Sequence, residues 1–465
     1  MRELCVAVAA ALSAGLCAVP ASAAPPGAVS AASLRLTAAD TSLGGGTAFI
    51  MGGSGLQTPG QAYADAVVSL YLAPLGFTGT TTVVSTPEEL YPFFGPFGGM
   101  LDNSLATGQK TLDTLIVDDF HAGKLSAENP AVVFGWSQSS VIASDVQSQL
   151  ASQGVPSEDV RFVLIGDVSA PNGGMLERFD LPQGTDPTIP SLGITFSGAG
   201  PSDLYPTYVY THEYDGFADF PKYPINFLSD LNSLLGIAFE HTTYLGLTPE
   251  QIDHAIALPT SSADTMDHYF MIPTQGLPLL DPLLFFGSGG KALYDLLEPD
   301  MRILVNLGYG DIADGWAQGD ADVATPLGFL PDSRTMSQLA AELPAALKTG
   351  WQQGVTAFME DVAKPSNASP AFLTELGSMV KTLEGTTLSS FFSTPTTWHE
   401  LFDTFPPHTG IPAVDVATAL LITLPEIDYN TFTSEMAQGN VLDAIGMPIA
   451  ADLGIVPIAL LGAVL

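Results

Sequence analysis

Short apolar runs alternate with longer amphipathic stretches from Thr47 onward, a pattern typical of a parallel sheet whose strands are joined by crossover helices. The apolar runs predict strands over residues 47–51, 82–85, 131–134, 161–167 and 207–211. Amphipathic stretches predict helices over 105–121 and 140–152, and Thr58-Pro59 predicts a further helix start. Beyond about Gly310 the strand pattern fades, and residues 336–465 predict helices interrupted by Pro and Gly. We therefore expect an α/β fold, a mostly parallel sheet flanked by helices, with a mainly helical C-terminal extension.

The N-terminal segment is apolar from Leu4 to Val19 and ends in Ala21-Ser22-Ala23, a small-residue pattern typical of a signal-peptide cleavage site. An uncleaved anchor is the alternative, although the run is shorter than the roughly 20 residues of a membrane span. The resulting divisions are a signal peptide over 1–23, a linker over 24–46, a main domain over 47–325 and a C-terminal region over 326–465. We expect the protein to be secreted or associated with the cell envelope.

Both cysteines, Cys5 and Cys17, lie inside the predicted signal peptide, so the exported chain would contain no thiol. This count excludes disulfides, a cysteine nucleophile and a cysteine-ligated zinc site from the exported protein.

Cations are scarce in the chain, with 13 Lys and Arg against 49 Asp and Glu and a net charge of −36. A chain of this charge repels polyanions, so nucleic acid is not an expected partner. Only 13% of the residues are charged, and the mean hydropathy is +0.29. This composition suits apolar surroundings, and we expect peripheral contact with a membrane or cell envelope.

A serine motif follows the predicted strand over 131–134, in the run Gly135-Trp136-Ser137-Gln138-Ser139. In the pattern G-x-S-x-G the serine lies on a sharp turn between a strand and a helix, which is the nucleophile position of α/β-hydrolases. Here Ser139 replaces the last glycine, and serine is nearly as small. We therefore expect a fold of the α/β-hydrolase type with Ser137 as the nucleophile.

A serine nucleophile needs a histidine base oriented by a carboxylate, and in this fold class the two follow the serine in the order Asp, His. Asp215 follows a predicted strand and precedes Gly216, so it is the favoured acid, with Asp167 and Asp219 as rivals. An aspartate in such a place is also a common turn residue.

Two histidines lie in loop-like settings from which they can fold back beside Asp215, namely His241 and its rival His268. His212 is predicted inside a strand and His254 in a helical stretch over 249–257, so neither is a favoured base.

Negative charge on the substrate carbonyl oxygen needs preplaced donors. The backbone N–H of Gln138 is the natural first donor, and Gly52-Gly53-Ser54-Gly55 supplies a second through the Ser54 hydroxyl or an N–H such as that of Gly53. A phosphate-binding turn is the alternative, but this loop lacks the spacing and the lysine of a P-loop. The proposed chemistry needs no cofactor and no metal.

The stretch from about Ile50 to Val323 resembles the PE-PPE domain of mycobacterial and related actinobacterial proteins. The resemblance lies in Met51-Gly52-Gly53-Ser54-Gly55, the serine motif, Gly166-Asp167 with Pro171-Asn172-Gly173-Gly174, the run from Tyr214 to Pro221 with Tyr223-Pro224, and Ile272-Pro273-Thr274 with Leu277-Pro278-Leu279-Leu280. That family is similar to cutinases and serine esterases, and it tolerates serine at the last motif position.

The resemblance implies Ser137 as nucleophile, Asp215 as acid and His241 as base, and it implies an acyl ester or a lipid as substrate. The Ser137-Gln138 pair resembles that of cutinases, in which a hydroxyl near the first strand completes the oxyanion hole. In this chain the predicted signal peptide stands in place of the family's helical PE or PPE module. Signal-bearing relatives move acyl chains between trehalose-based lipids, so acyl transfer is an alternative to hydrolysis.

A third alternative is a catalytically inactive envelope-binding protein on the same scaffold. Apolar residues of the segment 92–99 and of the C-terminal part are candidates for an acyl-chain site. The apolar end of the chain, 447–465, favours docking onto the main domain over lying on a membrane.

Overall fold

The computed structural model describes residues 42–94, 99–363 and 408–464. The predicted signal peptide and the linker up to residue 41 lie outside these ranges, as do the two cysteines.

The sheet is mostly parallel and has seven strands. The strands of the chain are β1 (Thr47–Ile50), β2 (Thr80–Val83), β3 (Ala131–Trp136), β4 (Val160–Ile165), β5 (Thr188–Ile189), β6 (Ile194–Thr195), β7 (Thr207–His212), β8 (Ile256–Ala257) and β9 (Asp267–Ile272). The main sheet has the order β2-β1-β3-β4-β7-β9-β8, and β5 pairs only with β6. Every pair in the main sheet is parallel except β8 with β9.

Helices cover both faces of this sheet and fill the C-terminal region. They are α1 (Gln61–Val67), α2 (Leu101–His121), α3 (Gln138–Ser152), α4 (Met175–Arg178), α5 (Phe227–Phe239), α6 (Pro249–Asp253), α7 (Gly287–Asn306), α8 (Ser333–Ala363), α9 (Pro412–Thr418), α10 (Leu424–Gln438) and α11 (Val441–Val464). Shorter turns of 3₁₀ or π helix include Val68–Leu72 and Pro278–Phe286. The fold is of the α/β-hydrolase type, as the sequence predicts.

The central strand β3 is buried on both faces because side chains alternate along a strand. Val133 packs in the hydrophobic cluster on one face of the sheet, and Val132 and Phe134 pack in the cluster on the other. A strand covered by helices on both faces reads as a continuous apolar run, which is the reason that the sequence pattern predicts it.

Three local predictions are wrong. The helical stretch expected over 249–257 ends at Asp253, and residues 256 and 257 form β8. The helix expected to start at Thr58-Pro59 begins at Gln61, because the Thr58 hydroxyl pairs with the Ser85 hydroxyl at 2.8 Å instead of capping a helix. His268, expected in a loop, lies in β9, where it pairs in register with Tyr208 of β7.

A crevice is expected where neighbouring parallel strands connect in opposite directions across the sheet. This switch lies between β1 and β3, since β2 is on one side of β1 and β3 is on the other. The loops that follow these two strands contain Gly53 and Ser137, and the loops after β4 and β7 lie along the same carboxyl edge.

The C-terminal helix α11 packs onto the main domain. Its Ala450, Ala451 and Ile455 belong to the same buried cluster as Phe179 and Phe220 of the sheet domain. The segment Val441–Gly462 is also long and apolar enough to cross a membrane by length and composition, and 39% of its most apolar window is buried in the protein.

Candidate active site

The turn that carries Ser137 is strained and is closed by its neighbours. Ser137 has φ +58° and ψ −119°, which is rare for a residue with a side chain. Its N–H donates to the Ile165 carbonyl at 3.1 Å. A Cβ on Gly135 would lie 2.5 Å from the Ser139 carbonyl oxygen, so the turn requires glycine there. The Ser139 hydroxyl accepts from the N–H of Trp136 at 2.9 Å and donates to the Trp136 carbonyl at 3.1 Å. Serine at the last motif position therefore stabilises the turn through two hydrogen bonds.

The glycine loop after β1 lies against this turn. A Cβ on Gly53 would be 3.2 Å from the Ser137 Cβ, so the absence of a side chain leaves the space open. The Ser54 hydroxyl donates to the Gln138 Oε1 at 2.8 Å, and the Gln138 amide nitrogen donates to the Ser104 hydroxyl. Gln138 is the first residue of α3, where a backbone N–H has no partner inside the helix.

Asp215 and His241 are in direct contact. The Nδ1 of His241 lies 2.8 Å from Oδ1 and 2.7 Å from Oδ2 of Asp215, which is fully buried. Asp215 also accepts from the N–H groups of Phe217 at 2.9 Å and Ala218 at 3.2 Å, and from the Tyr244 hydroxyl at 2.7 Å. Burial alone raises the pKa of Asp215, but His241 and these donors together lower it below its ordinary value.

The other ring nitrogen of His241, Nε2, is buried and has no hydrogen-bond partner within the described residues. The ring stacks on the indole of Trp136 at 6.0 Å between centroids, and the indole N–H donates to the His241 carbonyl at 3.3 Å. Trp136 directly precedes Ser137, so these contacts hold the imidazole beside the turn. Gly166, at φ +57°, leaves room for it: a Cβ there would lie 3.1 Å from the His241 Cε1 and 3.2 Å from the Asp215 Oδ2.

The family model described as the PE-PPE domain matches residues 78–310 of this chain. The chain belongs to the PE-PPE domain family. This confirms the resemblance seen in the sequence. The match includes the serine turn and the Asp215–His241 contact, and it begins after the glycine loop.

Relatives from Mycobacterium tuberculosis extend the comparison. The uncharacterized PPE family protein PPE28 is 34% identical over 94% of this chain and 67% of its own length. Esterase PE16 is 42% identical over 63% of this chain and 53% of its own length. Diacyltrehalose acyltransferase Chp2 is 31% identical over 48% of this chain and 61% of its own length. The chain thus spans between about half and two thirds of the length of these relatives.

The rival acids of this PE-PPE domain are engaged elsewhere. Asp167 accepts from the hydroxyls of Ser140 at 3.0 Å and Ser169 at 2.9 Å, which ties α3 to the loop after β4. Asp219 accepts from the Tyr214 N–H at 2.9 Å within the turn after β7. Burial raises the pKa of both carboxyl groups.

The histidines at positions 268, 254 and 212 lie in settings that differ from that of His241. His268 is half-buried on β9 and stacks on Tyr208 with 5.0 Å between centroids, and burial lowers its pKa. His254 is exposed at the end of α6, where its Nδ1 lies 2.6 Å from the Glu250 carbonyl oxygen. His212 ends β7, as the sequence predicts.

A second buried contact between histidine and carboxylate lies next to the first, and sequence reasoning missed it. The Nδ1 of His212 is 2.7 Å from the Glu240 Oε2, and both side chains are buried. The two contacts join the same two segments, since His212 and Asp215 follow each other on one segment and Glu240 and His241 on the other. The signal in the sequence is the adjacency of Glu240 and His241.

An open pocket of about 650 Å³ adjoins the glycine loop. Its lining residues are Gly55, Leu56, Gln57, Thr58, Glu88, Glu89 and Phe94. Phe94 belongs to the segment that the sequence suggested for an acyl chain; residues 95–98 of that segment lie outside the described ranges. Among the described residues, no group of three or more His, Cys, Asp or Glu side chains is arranged to hold a metal ion.

The contact between His212 and Glu240 predicts a pH-dependent stability. Burial lowers the pKa of His212, but the carboxylates of Glu240, Asp215 and Glu213 raise it by more, so it lies above its ordinary value. The resulting stability is fully present below the unfolded pKa of about 6.5 and is lost as the pH rises through the higher folded pKa. We expect the coupling energy between His212→Gln and Glu240→Gln to be about 0.5–3 kcal/mol at low pH and to fall towards zero as the pH rises.

Urea unfolding of the four proteins of this double-mutant cycle measures the coupling energy at each pH. The cycle cancels the other buried carboxyl groups, including Glu88 and Asp230, whose pKa values burial raises to about 8. A coupling energy that stays constant from about pH 6 to about pH 9 contradicts a charged pair.

Proposed function

We propose that this protein is a serine esterase or lipase that hydrolyses acyl esters through Ser137, His241 and Asp215. The protein acts after export, in the cell envelope or outside the cell. Its relative Esterase PE16 has the activity of that class in its name, and the shared region includes more than half of this chain. The substrate is an acyl ester or a lipid, and the pocket beside the glycine loop receives part of it.

The observation that carries the proposal is the free ring nitrogen of His241. Its Nδ1 donates a proton to Asp215, so the neutral imidazole has its lone pair on Nε2. That nitrogen is buried and has no partner among the described residues. Other buried polar atoms among the same residues, including Nε2 of His212, also lack a partner, so the feature that distinguishes His241 is the contact of its ring with Trp136, the residue before Ser137. A lone pair held beside a strained serine turn is the arrangement of a general base.

In the proposed reaction, the Ser137 oxygen attacks the ester carbonyl while Nε2 of His241 takes the hydroxyl proton. Asp215 stabilises the imidazolium that forms. The imidazolium then gives its proton to the departing alcohol as the carbon–oxygen bond breaks, which leaves an acyl-enzyme. Water attacks the acyl-enzyme with His241 again as base, and the carboxylic acid and free Ser137 result.

The oxyanion hole is formed by the N–H of Gln138 and by a donor from the glycine loop. The Ser54 hydroxyl donates to the Gln138 side chain in the free protein, at 2.8 Å, so it turns from that oxygen to the oxyanion in the proposed complex. The Gly53 N–H is the alternative donor of the same loop. Preplaced donors of this kind contribute about 3–4 kcal/mol each to the stability of the transition state.

Labelling with a fluorophosphonate probe tests the nucleophile. We expect covalent labelling of the wild type at Ser137 and loss of labelling in Ser137→Ala, because the probe needs the activated oxygen. Ser152→Ala is the matched control, since this serine is exposed at the end of α3. An unlabelled wild type favours the inactive envelope-binding alternative, and labelling that survives Ser137→Ala excludes Ser137 as the nucleophile.

A pair of histidine variants tests the base. We expect His241→Gln to lower kcat for a p-nitrophenyl ester by about 10⁴-fold or more, because proton transfer from Ser137 is lost. His268→Gln should retain kcat within about 3-fold, since a substitution remote from the reacting atoms removes no transition-state contact. Equal losses in the two variants, at equal stability, rule out the assignment of His241.

Acyl transfer to an alcohol is the second candidate function. It is favoured by the similarity to Diacyltrehalose acyltransferase Chp2 and to SL1278 acyltransferase Chp1. In this proposal the acceptor occupies the open pocket of about 650 Å³ beside the glycine loop. In this version the acceptor hydroxyl replaces water in the second step, and the product is a new ester.

Competition between water and an alcohol separates these two functions. We expect a transferase supplied with a p-nitrophenyl acyl ester and trehalose to form acyl-trehalose, which mass spectrometry detects. A hydrolase forms only the free acid at the same rate with and without trehalose. Esters of graded acyl length then define the chain that the pocket accepts.

A further inference from the structure

The hydroxyl of Tyr244 lies between the two segments that form the proposed acid and base. It donates to the Asp215 Oδ2 at 2.7 Å and accepts from the His212 N–H at 2.8 Å. Tyr244 is 1% exposed, so water does not compete for either bond. The hydroxyl therefore links the last residue of β7 to the carboxylate three residues further along.

Three contacts fix the position of this tyrosine. Its carbonyl accepts from the Tyr71 hydroxyl at 2.9 Å. Its ring meets the His241 ring edge-on, at 86° with 6.2 Å between centroids. Gly166 also lies close to the ring, since a Cβ there would be 3.0 Å from the Tyr244 Cε2. The donor is thus placed before any substrate binds.

The hydrogen bonds of Asp215 divide between its two oxygens. Two backbone N–H groups, from Phe217 and Ala218, donate to Oδ1, and the Tyr244 hydroxyl donates to Oδ2. With donors on both oxygens, the carboxylate cannot rotate away from His241. Without Tyr244, the imidazole is the one side-chain donor to Asp215 among the described residues.

We propose that Tyr244 is a positioning residue for the reaction. Its hydroxyl fixes the orientation of the Asp215 carboxylate. By donating a hydrogen bond it also reduces the negative charge on that carboxylate, which therefore stabilises the imidazolium form of His241 less strongly. This rests on the proposed function of Ser137, Asp215 and His241. The tyrosine remains a donor at the relevant pH, because burial and the nearby Asp215 raise its pKa well above its ordinary value.

A pair of tyrosine variants tests this. Tyr244→Phe removes the donor to Asp215. Tyr205→Phe is the matched control, since it removes a buried hydroxyl that donates to the Val155 carbonyl at 2.9 Å and, among the described residues, forms no hydrogen bond with Asp215, His241 or Tyr244. We expect Tyr244→Phe to slow fluorophosphonate labelling about 10-fold and to move the acid limb of its pH profile up by about half a unit to one unit. Tyr205→Phe should leave the acid limb in place.

The other titratable groups around this contact are retained in both variants. They are His241, His212, Asp219, Glu213 and Tyr71, which act on Asp215, on Tyr244 or on each other. A shift of the acid limb that occurs only in Tyr244→Phe is therefore caused by the loss of the Tyr244 hydroxyl. Two variants with equal losses of stability and unmoved acid limbs overturn the proposal and leave Tyr244 a purely structural residue.

Two further measurements keep the outcome decisive. If Tyr244→Phe does not fold, 3,5-difluorotyrosine at this position gives a stronger donor, and the acid limb should move down instead of up. If the wild type is not labelled, the proposed function fails, but the proton resonance of His241 Nδ1 still reports on its contact with Asp215. A resonance that shifts in Tyr244→Phe and not in Tyr205→Phe supports the positioning role; equal spectra for both overturn it.

Discussion

The contact between Asp215 and His241 is the constraint on which the rest of the site depends. A carboxylate without solvent exposure is costly unless hydrogen bonds compensate it, and several donors surround Asp215. Those donors come from the turn after β7 and from the segment after α5, so both segments must adopt one arrangement. The parallel sheet makes this arrangement accessible, because β3, β4 and β7 end at the same edge.

The two contacts between histidine and carboxylate reinforce each other. Both contacts join the same two segments, and each has a distance of 2.7 Å between nitrogen and oxygen. In one contact the first segment supplies the histidine, His212, and in the other it supplies the carboxylate, Asp215. One contact alone leaves a hinge between the segments, whereas two contacts remove it. In the proposed mechanism, this rigidity holds the imidazole in position while its proton content changes.

The sequence predicts the sheet and the serine turn well for a physical reason. A strand covered on both faces, such as β3, is an uninterrupted apolar run, and a glycine-bounded serine after it indicates a turn. Local reasoning fails where a residue distant in sequence determines the structure. Thr58 forms a hydrogen bond with Ser85, and His268 lies in a strand that pairs with Tyr208 of β7. Tyr244 could not be assigned at all, because its role depends on a hydroxyl that reaches a residue 29 positions away.

The position of β1 affects how this domain can be divided. The family match starts at residue 78, yet β1 ends at Ile50 and lies between β2 and β3 in the sheet. A fragment cut at the borders of the match would lose an interior strand together with the glycine loop. β2 would have no neighbour, and an unpaired edge of β3 would be open to association with other chains. A fragment that retains the whole sheet must therefore begin before β1, upstream of the residues that the family model matches.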